Sequence, residues 1–215
     1  MRFSVFVFFV TLASIFFFGS TPLLAPSALA TPSEKTSVLV LGDSVSAAFG
    51  IERNEGWVHL LQQHLNKNGS RYNVINASVS GDTTRAGLAR LPLALKEHQP
   101  EIVIIALGGN DGLRGLSLKE LRTNLDKMIR ISKDAKAKVM LCGIRVPPNL
   151  GVTYVARFLQ VYREASQAHG IPLVDYILKD VSSHSNLMQS DGIHPTAEAQ
   201  PIILNNVLQE LATLL

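Results

Sequence analysis

The stretch LVLGDSVSAAFG, residues 39–50, decides how this chain reads: a short apolar run stops at Gly42 and is followed at once by Asp43 and Ser44, with small residues and no proline behind them. That pattern puts a serine hydroxyl at the carboxyl edge of a β-sheet, the edge on which open α/β sheets carry their chemistry. A serine alone is a weak nucleophile. It needs a base, a group that orients the base, and donors for an oxyanion.

Candidates for all three lie further along. Asp191-Gly192-Ile193-His194-Pro195 sets a carboxylate three residues before an imidazole, so one loop can deliver both a base and its orienting partner. His194 is the candidate base and Asp191 its orienter; the other histidines sit in segments that read as helical or polar surface. NASVSGDT (residues 76–83) and GGND (residues 108–111) each follow another apolar run. Ser44, Gly81 and Asn110 would therefore leave a parallel sheet on one side.

Five short runs rich in Val and Ile, at 37–41, 72–75, 102–107, 138–141 and 171–174, read as buried parallel strands. The segments between them carry helical stripes, Trp57, Leu60, Leu61 and Leu65 in one and Leu118, Leu121, Leu125, Met128 and Ile129 in another. This alternation predicts an α/β fold: a three-layer α/β/α sandwich around a five-stranded, parallel, doubly wound, flavodoxin-like sheet. Asn54 with Glu55 predicts the cap of the first long helix, Asn68-Gly69 its stop, Ser117 with Glu120 a capping box, and 196–214 a closing helix. Cys142, the only cysteine, reads as a buried strand residue.

GDSVS, SGD, GGND and DGIHP, in that order, resemble the sequence blocks of the SGNH (GDSL) hydrolases. The likeness runs from residue 38 to about residue 203, takes in stretches that read as ordinary surface such as GLARLPLALKEHQP, and is closest to the periplasmic thioesterase I, arylesterase and lysophospholipase group. It implies a serine nucleophile at Ser44 with Asp191 and His194, and an oxyanion hole made of the Ser44 and Gly81 backbone N–H groups and the Asn110 amide. It also implies acyl-CoA thioesters, aryl esters and lysophospholipids as substrates, with no cofactor. Asp43, Asp82 and Asp111 read as residues that hold loops. Leu113 and Arg114, in a glycine-flanked segment that could flex over an acyl chain, and Ile144 and Pro147, after the fourth strand, are candidate substrate contacts; Arg145 could meet a substrate phosphate or a loop carbonyl.

The chain has 215 residues, 47% hydrophobic and 17% charged, and a mean hydropathy of +0.20. It reads as one domain with an apolar attachment at the front. Arg2, the apolar run 3–18 and Ala28-Leu29-Ala30 describe a secretory signal peptide, residues 1–30, cut after Ala30, and leave residues 31–215 as a periplasmic or secreted domain. Loss of Arg2, the only charge in the leader, takes the balance from +3 to +2, without the long basic runs of a nucleic-acid binder. The expectation is a monomer without a nucleic-acid partner, without stable membrane insertion after cleavage, and without a metal, since no second His or Cys lies at ligand spacing near His194.

Other readings compete. An α/β-hydrolase shares the order Ser, Asp, His but would carry GxSxG, which is missing. A phosphate binder with GDSVSAAFG at a helix start leaves DGIHP unexplained. A non-catalytic lipid- or sugar-binding protein, or an esterase for acylated sugars, would use the same cleft.

Overall fold

Hydrophobic alternation along the first strand sorts the whole domain. In β1 (Ser37–Gly42) every residue is buried, with Val38 and Val40 packed to one side and Leu39 and Leu41 to the other. The computed structural model describes Met1, Phe3, Ser4 and residues 36–215. The leader expected over 1–30, with its cleavage point after Ala30, lies outside the described residues apart from those first three positions.

The elements follow in alternation: α1 (Trp57–Lys67), β2 (Asn73–Asn76), α2 (Thr84–His98), β3 (Ile102–Ala106), α3 (Gly109–Leu113), α4 (Leu118–Asp134), β4 (Lys138–Cys142), α5 (Val152–His169), β5 (Leu173–Val174) and α6 (Gln200–Leu211). All strand pairs are parallel, in the order β2-β1-β3-β4-β5. The expected five-stranded, doubly wound sheet is the one observed. Leu39 is registered against both Ile75 and Val103, so β1 lies inside the sheet. The chain reverses direction of winding between β1 and β3, and the crevice beyond their carboxyl ends is where ligands bind in such sheets.

Two cores flank the sheet. Val38, Val40, Ile102 and Ile104 meet α1 and α6 through Trp57, Leu61, Ile203 and Val207. Leu39, Leu41, Val103 and Ile105 meet α2, α4 and α5 through Leu91, Leu125, Met128 and Phe158. Each such side chain, fully buried, contributes roughly 1.5–3 kcal/mol. The stretch GLARLPLALKEHQP is not simply surface, since it forms most of α2 and buries Leu91 and Leu95.

Local signals misjudge some helix ends. The cap of α1 is Gly56 rather than Asn54, and the Trp57 N–H is satisfied by Gln200 Oε1 at 3.0 Å, 143 residues away. Ser117 does cap α4 by position, but it makes no side-chain capping bond; Glu120 turns instead to Arg85, at 2.7 Å. The last helix begins at Gln200, with a proline in its first turn. Thr196 to Ala199 form turns that carry the chain from the DGIHP loop into α6.

Candidate active site

The tight turn after β1 carries Ser44. Ala47 N–H donates to Asp43 O at 2.9 Å and Phe49 N–H to Ser44 O at 3.1 Å, so the chain curls back on itself and leaves the serine half-buried at the crevice. Ser44 Oγ lies 2.9 Å from His194 Nε2, and His194 Nδ1 lies 2.6 Å from Asp191 Oδ2. A carboxylate beside Nδ1 accepts from the ring N–H and so fixes the proton on that nitrogen, which leaves Nε2 as the acceptor that faces the serine. The other Asp191 oxygen accepts from the Ile193 and His194 N–H groups at 2.9 and 3.0 Å. The bond to His194, with those backbone N–H groups, holds the Asp191 carboxyl down at about 2. It therefore keeps its charge at any pH used to assay an ester. The Phe49 ring stacks against the imidazole, centroids 4.4 Å apart and tilted by 39°.

The segments that follow β1, β2 and β3 carry donors without full work inside the protein. Among the described residues, the backbone N–H groups of Ser44 and Gly81 reach no protein acceptor. Gly81 has φ +85°, a backbone shape that side chains resist. Asn110, the second residue of α3, gives one amide hydrogen to Asp82 O at 2.9 Å and retains another. GGND, marked in the sequence only as following an apolar run, opens this short helix. Gly108, at φ +126°, permits the turn into it, because a Cβ there would meet the Tyr162 hydroxyl at 2.0 Å.

All three motif aspartates hold loops, as expected. Asp43 accepts from Val45 N–H at 3.1 Å. Asp82 binds Arg90 at 2.6 Å. Asp111 accepts from both the backbone N–H and the hydroxyl of Thr84, at 2.8 and 2.5 Å, and so ties α3 to the start of α2. Arg90 went unnoticed in the sequence, where a mid-helix arginine has no local signature. It joins Asp82 to the carbonyls of Gly42 and Ala77, and so holds together the ends of β1 and β2.

Asp43 bears a further cost. Burial pushes its carboxyl up to about 6, partly countered by the Val45 N–H and by His194. An unfolded aspartate titrates near ~3.9. Between roughly pH 4 and 6 the native state thus keeps a proton that the unfolded chain has lost, so stability falls as pH rises through that window and the cost stays in full above it. A shift of this size corresponds to about 3 kcal/mol. Asp43→Asn, whose amide oxygen still accepts from Val45, is expected to match the wild type in Tm at pH 4 and exceed it at pH 7. Thermal unfolding at both pH values checks this; a difference independent of pH would refute it.

Beside Ser44, His194 and Asn110 lies a cavity of about 460 Å³. Leu113, Ile144 and Pro147, the candidate substrate contacts, line it together with Val146 and Val155. Arg114 does not. Its guanidinium donates to Gly81 O at 2.9 Å, so it steadies the loop of Gly81 instead of facing the cavity. Gly112, expected to be a flexible end of that segment, is packed: a Cβ there would lie 2.1 Å from Val146 Cγ1. Arg145 lines the cavity with its guanidinium 4.6 Å from the centre of the Tyr176 ring and 3.9 Å from Asp175. Cys142 is fully buried, and burial alone pushes its thiol up to about 12, so it carries no thiolate.

Residues 40–201, which carry all of this geometry, match the GDSL-like Lipase/Acylhydrolase family. The chain belongs to that family. It is 47% identical to Esterase TesA of Pseudomonas aeruginosa over 83% of this chain and 89% of that one. It is 45% identical to an arylesterase of Vibrio mimicus, over 86% of this chain and 92% of the relative. The crystal structure of TesA superposes with a TM-score of 0.82, covering 84% of this chain and all of its own. The family read from the four blocks, and its ester-hydrolase class, are borne out by these relatives.

Proposed function

We propose that the chain hydrolyses acyl esters, aryl esters and thioesters among them, through an acyl-enzyme on Ser44. The observation that carries this reading is the unbroken hydrogen-bonded run Asp191–His194–Ser44 beside an apolar cavity. In the first half-reaction Ser44 Oγ attacks the carbonyl carbon while its proton passes to His194 Nε2, and Asp191 stabilises the imidazolium. The oxyanion is held by the Ser44 and Gly81 N–H groups and the free hydrogen of the Asn110 amide. His194 then gives its proton to the departing alcohol or thiol, and the acyl group stays on Ser44. A water attacks the acyl carbon and passes a proton to His194; the bond to Ser44 Oγ then breaks, His194 returns the proton to that oxygen, and the acid leaves. The acyl chain lies along Leu113, Ile144, Val146, Pro147 and Val155, whose apolar surface suits a hydrocarbon tail.

The test is a panel of p-nitrophenyl esters from acetate to palmitate, with palmitoyl-CoA and a lysophospholipid. Turnover that rises with chain length supports the tail placement, and no turnover on any member refutes the reading. Asn110→Ala is expected to lower kcat by roughly 10²- to 10³-fold with little change in KM, since its amide acts on the oxyanion and not on the ground state. Steady-state kinetics on one ester measures it.

The protein acts as a monomer exported to the periplasm or beyond. The site groups described need no second copy of the chain for their hydrogen bonds, and residues 1–30 have the composition of a secretory leader. The intact mass of the protein recovered outside the cytoplasm reads the cleavage point directly.

A further inference from the structure

Two segments outside the helices and the sheet, the second closed on itself by a Met188–Pro195 bridge, must hold Ser44 and His194 at bonding distance. One is the turn at 43–50, the other the loop at 188–196. Among the described residues, only two hydrogen bonds cross between them: Ser44–His194 itself and Gln189 Nε2 to Phe49 O, at 2.8 Å. The first of these breaks and re-forms whenever the proton moves. The second is outside the chemistry.

We infer that Gln189 is a positioning residue, a strap that fixes the base loop to the nucleophile turn and so sets the Ser44–His194 geometry; this inference rests on the esterase reading above. Its Nε2 donates at once to Phe49 O on the nucleophile turn and to Pro195 O on the base loop, at 2.8 and 3.0 Å. Two carbonyl acceptors on the same side dictate that the NH₂ end of the amide faces them. Its own backbone N–H donates to His194 O at 2.7 Å, and its carbonyl accepts from Gly192 N–H at 2.9 Å, so the strap is anchored around the base loop. On the nucleophile side the fit is close. A Cβ at Gly50 would lie 2.2 Å from Gln189 Oε1, so a side chain there would push the amide out of its place. By holding Phe49 O, the strap also keeps the Phe49 ring against the imidazole.

The effect asked of the strap is of ordinary size. A misplacement of reacting groups by about 1 Å costs roughly 10²-fold in rate. Gln189 does not itself line the cavity, and its amide reaches carbonyls rather than the reacting atoms, so its loss should appear in kcat and leave KM alone.

The experiment compares wild type with Gln189→Met, which keeps length without donors, and Gln189→Glu, which turns an acceptor towards the two carbonyls. A third variant, Gly50→Ala, displaces the amide from the other side without touching residue 189. Each is assayed for kcat and KM on p-nitrophenyl butyrate and for the rate of labelling by a fluorophosphonate. In that reaction Ser44 Oγ forms a bond to phosphorus, fluoride leaves, and His194 takes the serine proton. Tm is measured alongside, and rates are referred to folded protein. The expected result is a fall of roughly 10- to 100-fold in kcat and an equal fall in labelling rate, with KM within threefold of wild type. Labelling by all folded variants within twofold of the wild-type rate overturns the strap, as does a loss confined to KM. A wild type that takes no label overturns the esterase reading itself, which separates the two failures.

Discussion

Ser44→Ala is expected to lower ester turnover by roughly 10⁵- to 10⁶-fold and to abolish fluorophosphonate labelling while leaving the fold unchanged. The hydroxyl is half-buried, and its one side-chain hydrogen bond is to His194. Its removal leaves no cavity and no buried orphan, so Tm should stay within a few degrees. The residual rate is informative. The Ser44 and Gly81 N–H groups and Asn110 remain, and with substrate bound they can still stabilise a tetrahedral oxyanion formed by water. Kinetics above the buffer rate, measured at high enzyme concentration, would read that remainder. Turnover within tenfold of wild type would mean another nucleophile, and would sink the acyl-enzyme.

Asp191→Asn is expected to cost roughly 10³- to 10⁴-fold in kcat, for a reason that lies in proton placement. The asparagine oxygen can still accept from the Ile193 and His194 N–H groups, so the loop survives. Its NH₂ then faces His194 Nδ1 and donates to it. The ring proton moves to Nε2, the nitrogen 2.9 Å from Ser44 Oγ, which can no longer accept. The base is present in the wrong tautomer. Asp191 is 39% exposed, so water can partly take its place, and the lower end of the range is the safer expectation. Steady-state rates with a labelling time course check this; a loss of less than tenfold would reduce Asp191 to a loop-holding role.

Periodicity made the sheet readable, and ligand-like turns made the edge readable. Runs of Val and Ile too short for helices read as buried strands, and the three turn-like blocks directly after them had to emerge on one side. What stayed hidden was tertiary. The first N–H of α1 is capped by a glutamine from α6, so no residue near Asn54 could announce it. Glu120 had the spacing of a capping box but a better partner in Arg85, on another helix. Arg114 shares its neighbourhood in sequence with Leu113, yet on a short helix adjacent side chains diverge, one towards the cavity and the other to the Gly81 carbonyl. Arg90 and Gln189 make their contacts only when loops far apart in sequence are already in place.

The distance of 150 positions between Ser44 and His194 has a bearing on how the protein is made. The proposed nucleophile and oxyanion donors are all synthesised by residue 110 of 215, whereas the proposed base, its carboxylate and the strap belong to the final stretch. A nascent chain that has completed β1 and β3 can already expose its serine to cellular esters, but it has nothing to take the proton. On the proposed mechanism, hydrolysis has to wait for the last loop, which leads into the helix packed on Trp57. Synthesis order alone keeps the unfinished polypeptide chemically silent.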